Sequence, residues 1–339
     1  MTPSDSAGKN SKSPGGPGTR VIRMKTSPVR TVIVSGSRTG CRYAELLESM
    51  DEVELLLGVT WPDRPRGRGR KVLRGYLASY CDRSGLTAFQ TEDINSPESV
   101  EAIKKTSPHA GFVVDFGQIL SEEVLGLFPM GCYNIHYSLL PDLRGAAPVR
   151  WALFKGYSRT GVTLIRMNEG VDAGDIISSL EEPVLDTDNY ASLKERLTLR
   201  GVELTGDFFR RAASGENIPV SPQGERGVSR APKIKGRMRI DWSDPAVRIT
   251  GLIRGMSPSP GCWSTFTAKE LNIKIISAAV SAGPFGLPGR VFRVCRDYFD
   301  VSASDGCVRI LSLQPSGKRI MSAAEFMAGN PVREGDIFE

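Results

Sequence analysis

Asn134, His136 and Asp172 are the residues of this chain whose types and spacing could carry out a reaction. His136 is one of two histidines in 339 residues, and Asn134 stands two positions before it. Asp172 sits in the glycine-bracketed run Gly170-Val-Asp-Ala-Gly174. An amide, an imidazole and a carboxylate in one cleft could pass a small acyl group to an amine. The tetrahedral intermediate of such a transfer carries negative charge on its carbonyl oxygen, which the Asn134 amide and a donating His136 ring would stabilise. The Asp172 carboxylate would orient the ring and accept the amine's proton, directly or through water. An activated acyl donor needs no serine or cysteine nucleophile, and Ser138 has no nucleophile-elbow context. Each residue also has an ordinary structural reading: an Asn-X-His pair is common, and a Gly-flanked Asp is usually a turn residue.

A strand and a turn must place these groups. Gly131–His136 is a short apolar run that reads as a strand, on which residues two apart face the same side. The apolar run Gly161–Met167 reads as the strand leading to the Asp172 turn. Thr31–Val34, Val53–Thr60 and Gly111–Phe116 read as further strands, and Cys41–Met50, Glu98–Lys105 and a segment capped by Ser121 read as helices. This alternation implies an α/β domain with a parallel-rich sheet, closed by an amphipathic helix over Tyr190–Ala213. The turn Ser35–Gly40 lacks the dinucleotide fingerprint and the P-loop Lys-Ser/Thr pair. His109, after Ser107-Pro108, reads as a loop histidine without a role.

The remaining chain divides by composition. Residues 1–29 are rich in Ser, Gly, Pro and basic residues, the composition of a disordered basic tail, and Met24 is an alternative start. Residues 30–213 form the catalytic domain and 214–236 a polar linker. Residues 237–339 read as a helix over Pro245–Met256 and several short strands, a small OB-like β-barrel. The six cysteines form no CxxC pair and read as reduced thiols of a cytoplasmic protein without a metal site. No apolar run is long enough to span a membrane. The net charge of +6 permits a polyanionic partner.

The stretch Trp61–Gly75 carries Arg64, Arg66, Arg68, Arg70, Lys71 and Arg74 against one acid, Asp63. Its prolines and glycines argue against any regular element. It reads either as a solvated charge run or as a loop that grips a nucleic-acid backbone through Arg–phosphate pairs. Lys233 and Lys235 lead into the second domain.

NIHYSLLP, RGAAP and GVTLIRMNEGVDAGD together resemble the signature of the 10-formyltetrahydrofolate-dependent formyltransferases, and the 38-residue step from Asn134 to Asp172 fits it. The likeness continues through WPDRPRGRGRK, DFGQIL, APKIKGRMRIDWS, SPSPGCWSTF and LQPSGKRIMSAAEFMAG, from Thr31 to Glu339, and is strongest to members acting on methionyl-tRNA. It implies a Rossmann-like formyltransferase domain followed by an OB-like, tRNA-holding domain. It implies catalytic roles for Asn134, His136 and Asp172, and folate contacts from Ser138, Leu139, Leu140, Pro141 and Gln118. The co-substrate would be 10-formyltetrahydrofolate, without a metal. The partner would be initiator tRNA charged with methionine, held by Arg64, Arg66, Arg68, Arg70, Lys71, Lys233 and Lys235, and the enzyme would be a monomer. The chain departs from the family pattern at Gly36–Cys41, Asp115, Tyr137 and Asp142. A formyltransferase for a small amine and a non-catalytic RNA-binding relative are the alternatives.

Overall fold

A computed structural model describes residues 20–22, 28–66, 71–236, 238–283 and 286–339, with Arg20, Val21 and Arg66 described in their backbone alone. Arg68, Arg70, Met24 and most of the stretch 1–29 lie outside the described residues. The first half contains β1 (Arg20–Ile22), β2 (Val29–Ser35), α1 (Arg38–Glu48), β3 (Val53–Thr60), β4 (Arg64–Arg66), β5 (Lys71–Leu73), α2 (Tyr76–Ser84) and β6 (Ala88–Gln90). It continues through α3 (Pro97–Lys105), β7 (Ala110–Val114), α4 (Glu122–Gly126), β8 (Gly131–His136), α5 (Pro148–Phe154), β9 (Arg159–Arg166), β10 (Asp175–Pro183), α6 (Tyr190–Ala213) and β11 (Ile218–Val220).

Seven strands form one sheet in the order β10-β9-β8-β7-β2-β3-β6. The pairings from β8 through β7, β2 and β3 to β6 are parallel, and β9 and β10 add on antiparallel. Strands covered on both faces read as continuous apolar runs, and β7 is buried along its whole length. Helix α6 supplies one cover. Its Phe208 ring lies 4.6 Å from Tyr133 of β8, and Phe209 lies 6.0 Å from Phe112 of β7. The direction of the crossovers reverses between β2 and β7, the topological switch point of the sheet.

Helix α1 starts at Arg38, ahead of the expected Cys41, because Ser37 accepts the Gly40 N–H at 3.2 Å and caps it. Gly40 is required there, since a Cβ would fall 2.1 Å from Ser35 Oγ. The basic stretch 61–75 also differs from expectation. It holds a regular element, an antiparallel ribbon in which Arg64 faces Leu73 and Arg66 faces Lys71. Pro65 fits because a two-stranded ribbon leaves one side of each strand unpaired. Part of the stretch read as a disordered tail is ordered as well. Strand β1 pairs with β11 beyond α6, and Ile22 joins the core.

The second half contains β12 (Met238–Arg239), α7 (Ala246–Met256), β13 (Cys262–Phe266), β14 (Leu271–Ser281), β15 (Val291–Val294), β16 (Phe299–Ser302), β17 (Cys307–Pro315), β18 (Met321–Ser322) and α8 (Ala323–Gly329). Its sheet runs β12-β13-β14-β17-β16-β15, with β18 on β17. The last residues bridge two of these strands: Thr265 N–H donates to the Glu339 carbonyl at 2.6 Å, and Val291 N–H to that of Asp336 at 2.7 Å. Phe338 stacks on Phe266 and Phe299, at 5.0 and 5.4 Å, in the core of this half. Helix α8 is an addition to the one helix expected in this half.

The halves meet through α5 and α7. Arg150 donates to the carbonyls of Gly255, at 2.5 Å, and Ser259, at 3.1 Å. Arg254 answers from α7 with a 2.7 Å bond to the Asp188 carbonyl. No helix among the described residues is long and apolar enough to cross a membrane.

Candidate active site

Strand β8 lies between β7 and β9, with Asn134 opposite Val113 on one side and Ile165 on the other. Asn134 and His136 therefore share one face, and the turn after β9 carries Asp172 to it. Asn134 Nδ2 donates to Asp172 Oδ1 at 3.5 Å, and His136 Nδ1 lies 3.4 Å from the same oxygen. The other carboxylate oxygen accepts the Gly145 N–H at 2.8 Å. The three residues singled out by type and spacing thus converge on one carboxylate.

His136 is buried, and its Nε2 lies 2.9 Å from the Leu143 carbonyl. Both ring nitrogens face acceptors, and Nε2 donates to the Leu143 carbonyl. Leu143 and Asp172 adopt left-handed backbone, with φ of 57° and 49°. Such conformations carry strain and persist where surrounding contacts enforce them. Burial pushes the Asp172 carboxyl upward, but the His136 ring, the Gly145 N–H and the Arg144 charge outweigh it and hold the group below its ordinary range.

The segment Ser138–Pro141 continues directly from His136. Ser138 Oγ donates to the Asp142 carbonyl at 2.6 Å. Thr163 of β9 fixes the backbone on either side, donating to the Ser138 carbonyl at 2.7 Å and accepting the Leu140 N–H at 3.1 Å. Leu139 and Pro141 remain partly accessible. Gln118 lies on the loop after β7. Its amide oxygen accepts the Ile94 N–H at 2.9 Å and its nitrogen donates to the Glu92 carbonyl at 2.6 Å, so it braces that neighbouring loop.

The basic ribbon is rooted firmly. Trp61 stacks on Phe116 at 4.8 Å, and the Arg64 guanidinium lies 4.8 Å above the Trp61 ring while bonding Glu92. Arg74 grips Asp82 with two bonds of 2.5 and 2.7 Å. Lys71, Lys233 and Lys235 are exposed. His109 sits at the amino-terminal end of β7, where its Nδ1 accepts the Arg30 N–H of the neighbouring β2 at 3.2 Å.

Ser37, Asp115 and Tyr137, from three of the positions read as departures in the sequence, form one cluster. Lys194 Nζ donates to both oxygens of Asp115, at 3.1 and 3.3 Å, and lies 3.0 Å from the centre of the Tyr137 ring. Ser37 Oγ donates to Asp115 at 3.3 Å, and the Tyr137 and Tyr43 hydroxyls are 3.0 Å apart. Burial raises the Tyr137 phenol and draws the Lys194 ammonium down, with Asp115 opposing the latter. Asp142 lies elsewhere and accepts the Ser229 hydroxyl. Sequence reasoning singles out neither Lys194 nor Ser229, because these contacts join residues 78 to 94 positions apart and leave no local pattern.

Among the described residues, no group of His, Cys, Asp and Glu could hold a metal ion. Residues 30–205 match the model of the formyl transferase family, and residues 233–331 match that of the formyl transferase C-terminal domain. The chain is 36% identical over 290 residues to methionyl-tRNA formyltransferase of Caldanaerobacter subterraneus subsp. tengcongensis, covering 84% of this chain and 92% of that one. It is 35% identical over 310 residues to methionyl-tRNA formyltransferase of Geotalea uraniireducens, covering 91% and 97%. Its fold resembles that of HypX from Aquifex aeolicus, solved in complex with tetrahydrofolic acid, with a TM-score of 0.59 and 20% identity over 92% of this chain and 51% of HypX. Two family models matching in order, and full-length relatives at this identity, make the chain a member of the formyl transferase family, in the branch whose curated members are named methionyl-tRNA formyltransferases.

Proposed function

We propose that this enzyme transfers the formyl group of 10-formyltetrahydrofolate to the α-amine of methionyl initiator tRNA, releasing formylmethionyl-tRNA and tetrahydrofolate. The observation that carries the reading is the convergence of Asn134 and His136 on Asp172 in a chain with both formyl transferase domains. The amine's lone pair adds to the formyl carbon. The Asn134 amide and the His136 ring stabilise the charge that appears on the formyl oxygen. Asp172 holds the ring and takes the proton lost by the amine, directly or through water. That proton passes to the folate nitrogen as its bond to the formyl carbon breaks, so the site returns unchanged.

Ser138–Pro141 offers a rigid, partly apolar edge beside His136, suited to a flat heteroaromatic ligand. The ribbon 64–73 and the lysines 233 and 235 supply cations for the tRNA backbone, with the second half of the chain as an OB-like platform. Formyl transfer to charged initiator tRNA, measured across a salt series, tests this. The rate at subsaturating tRNA should fall steeply with salt, with a logarithmic binding slope of about −0.9 per phosphate contact on a duplex. A salt-insensitive rate would move the acceptor to a small amine.

A further inference from the structure

Residues 214–236 join the two halves, and most of their side chains are exposed. Across 221–230 only Gln223 and Ser229 withdraw from solvent. These two reach the loops of the site. Gln223 Oε1 accepts from Arg144 Nε at 2.9 Å and Nη2 at 2.6 Å. Its Nε2 donates to the carbonyls of Asp172 at 2.9 Å and Gly174 at 2.7 Å. Every hydrogen-bonding position of the carboxamide is used, and a flipped amide would set N–H against guanidinium and oxygen against carbonyls. One planar group thus sets the distance between the Arg144 loop and the Asp172 turn.

The Arg144 loop is the one that holds the site from the other side: Gly145 donates to the Asp172 carboxylate and Leu143 accepts from His136. The connector fixes that loop elsewhere too. Ser229 Oγ accepts the Leu143 N–H at 3.1 Å, the Ser229 carbonyl accepts the Arg144 N–H at 2.9 Å, and Ala231 N–H donates to the Arg144 carbonyl at 2.7 Å. Removing Gln223 therefore loosens the turn from the loop, leaving the Gly145–Asp172 bond as their direct tie, while the loop stays anchored.

We propose that Gln223 is a positioning residue for formyl transfer, holding Asp172 in register with His136 and Asn134 from the connector between the two halves of the chain. This rests on the reading of those three residues as catalytic. A carboxylate displaced by about 1 Å from its working position costs on the order of 10²-fold in rate.

The test compares full-length Gln223→Ala and Gln223→Glu with wild type for kcat, folate KM, melting temperature and the pH profile of kcat. The Glu variant keeps the volume and the acceptor for Arg144 but loses both donors to the turn. Both variants should lose about tenfold to a hundredfold in kcat, with folate KM unchanged. The groups facing the Asp172 carboxylate are Asn134 and His136 from β8, and the Gly145 N–H and Arg144 from the loop. Loosening the loop from the turn weakens the last two, so the acid limb of the profile should move to higher pH. Wild-type kcat and an unmoved acid limb in Gln223→Glu would overturn the inference. Failure of both variants to fold would also overturn it, by making Gln223 a folding residue. Asp172→Asn and His136→Ala run alongside separate the two levels. If they keep normal turnover, the catalytic reading falls. If they lose turnover while Gln223→Glu does not, only the positioning role falls.

Discussion

The Asp172 carboxylate meets the His136 ring with one oxygen, 3.4 Å from Nδ1, and the Gly145 backbone N–H with the other, at 2.8 Å. The ring is held on its far side by the Leu143 carbonyl, two residues before Gly145. A strand end, a turn and a loop are therefore closed into one hydrogen-bonded ring of contacts around the reacting groups.

His136→Ala should lower kcat by about 10²–10⁴-fold, the range of a removed acid–base group. Folate affinity should survive, because Thr163 holds the Ser138–Leu140 backbone independently of the ring. Single-turnover kinetics with a folate binding titration check this. Normal turnover would refute the chemical assignment.

Replacing Arg66, Arg68 and Arg70 by Ala should weaken tRNA use and leave folate binding alone. The salt slope of tRNA binding should fall by about 1 for each phosphate that an arginine no longer neutralises. Equal weakening of tRNA and folate binding would instead mean that the ribbon supports the fold of the cleft.

Gly145→Ala should damage both stability and turnover. Gly145 has φ of +121°, and a Cβ there would lie 2.8 Å from the Ala231 carbonyl oxygen of the connector. The expected loss is about 1–3 kcal/mol for the backbone strain, read by denaturant unfolding. The N–H bond to Asp172 should be disturbed too, so kcat should drop in the fraction that remains folded.

Acid should unfold the chain through a buried ion cluster. Asp188 and Glu182 are buried, and burial raises both carboxyls, but bonds from Arg196 to both and from Arg200 to Glu182 outweigh that and hold them below their ordinary values. A depressed carboxyl stabilises the fold fully above its unfolded value and loses that contribution as pH falls through the folded one. Stability should thus be level from neutral pH down to about 4.5 and fall below it. Asp188→Asn should flatten that fall and lower neutral-pH stability by about 2–4 kcal/mol, since it leaves Arg196 short of a partner. A melting temperature series against pH, on both chains, reads the effect.

Much of the fold is legible in the residues because local rules and burial agree. Val53–Thr60, Gly131–His136 and Tyr190–Ala213 appear as read, each an apolar run or amphipathic period with clear ends. Asn134, His136 and Asp172 are legible because a two-residue strand spacing and a glycine-bracketed turn confine where each side chain can go. The ribbon at 64–73 escapes, since its prolines and glycines mask a ladder only three pairs long. Helix α8 escapes although Ser322 and Glu325 form a capping box, because its apolar content merges with the preceding strands. The connector is the deepest gap. Gln223 and Ser229 sit in a polar, glycine-rich stretch, and only tertiary contact with residues 142–145 and 172–174 reveals what they hold.

The most direct test of the central claim is a formyl-transfer assay with 10-formyltetrahydrofolate and an acceptor panel. The panel sets methionyl initiator tRNA beside free methionine and amino-sugar nucleotides. Rapid transfer to the charged tRNA alone is the predicted result, and would make the Ser37–Asp115–Tyr137–Lys194 cluster a local repacking compatible with that acceptor. Folate turnover on a small amine with no formylated tRNA would contradict the account, and would point to that same cluster as the determinant of a different acceptor.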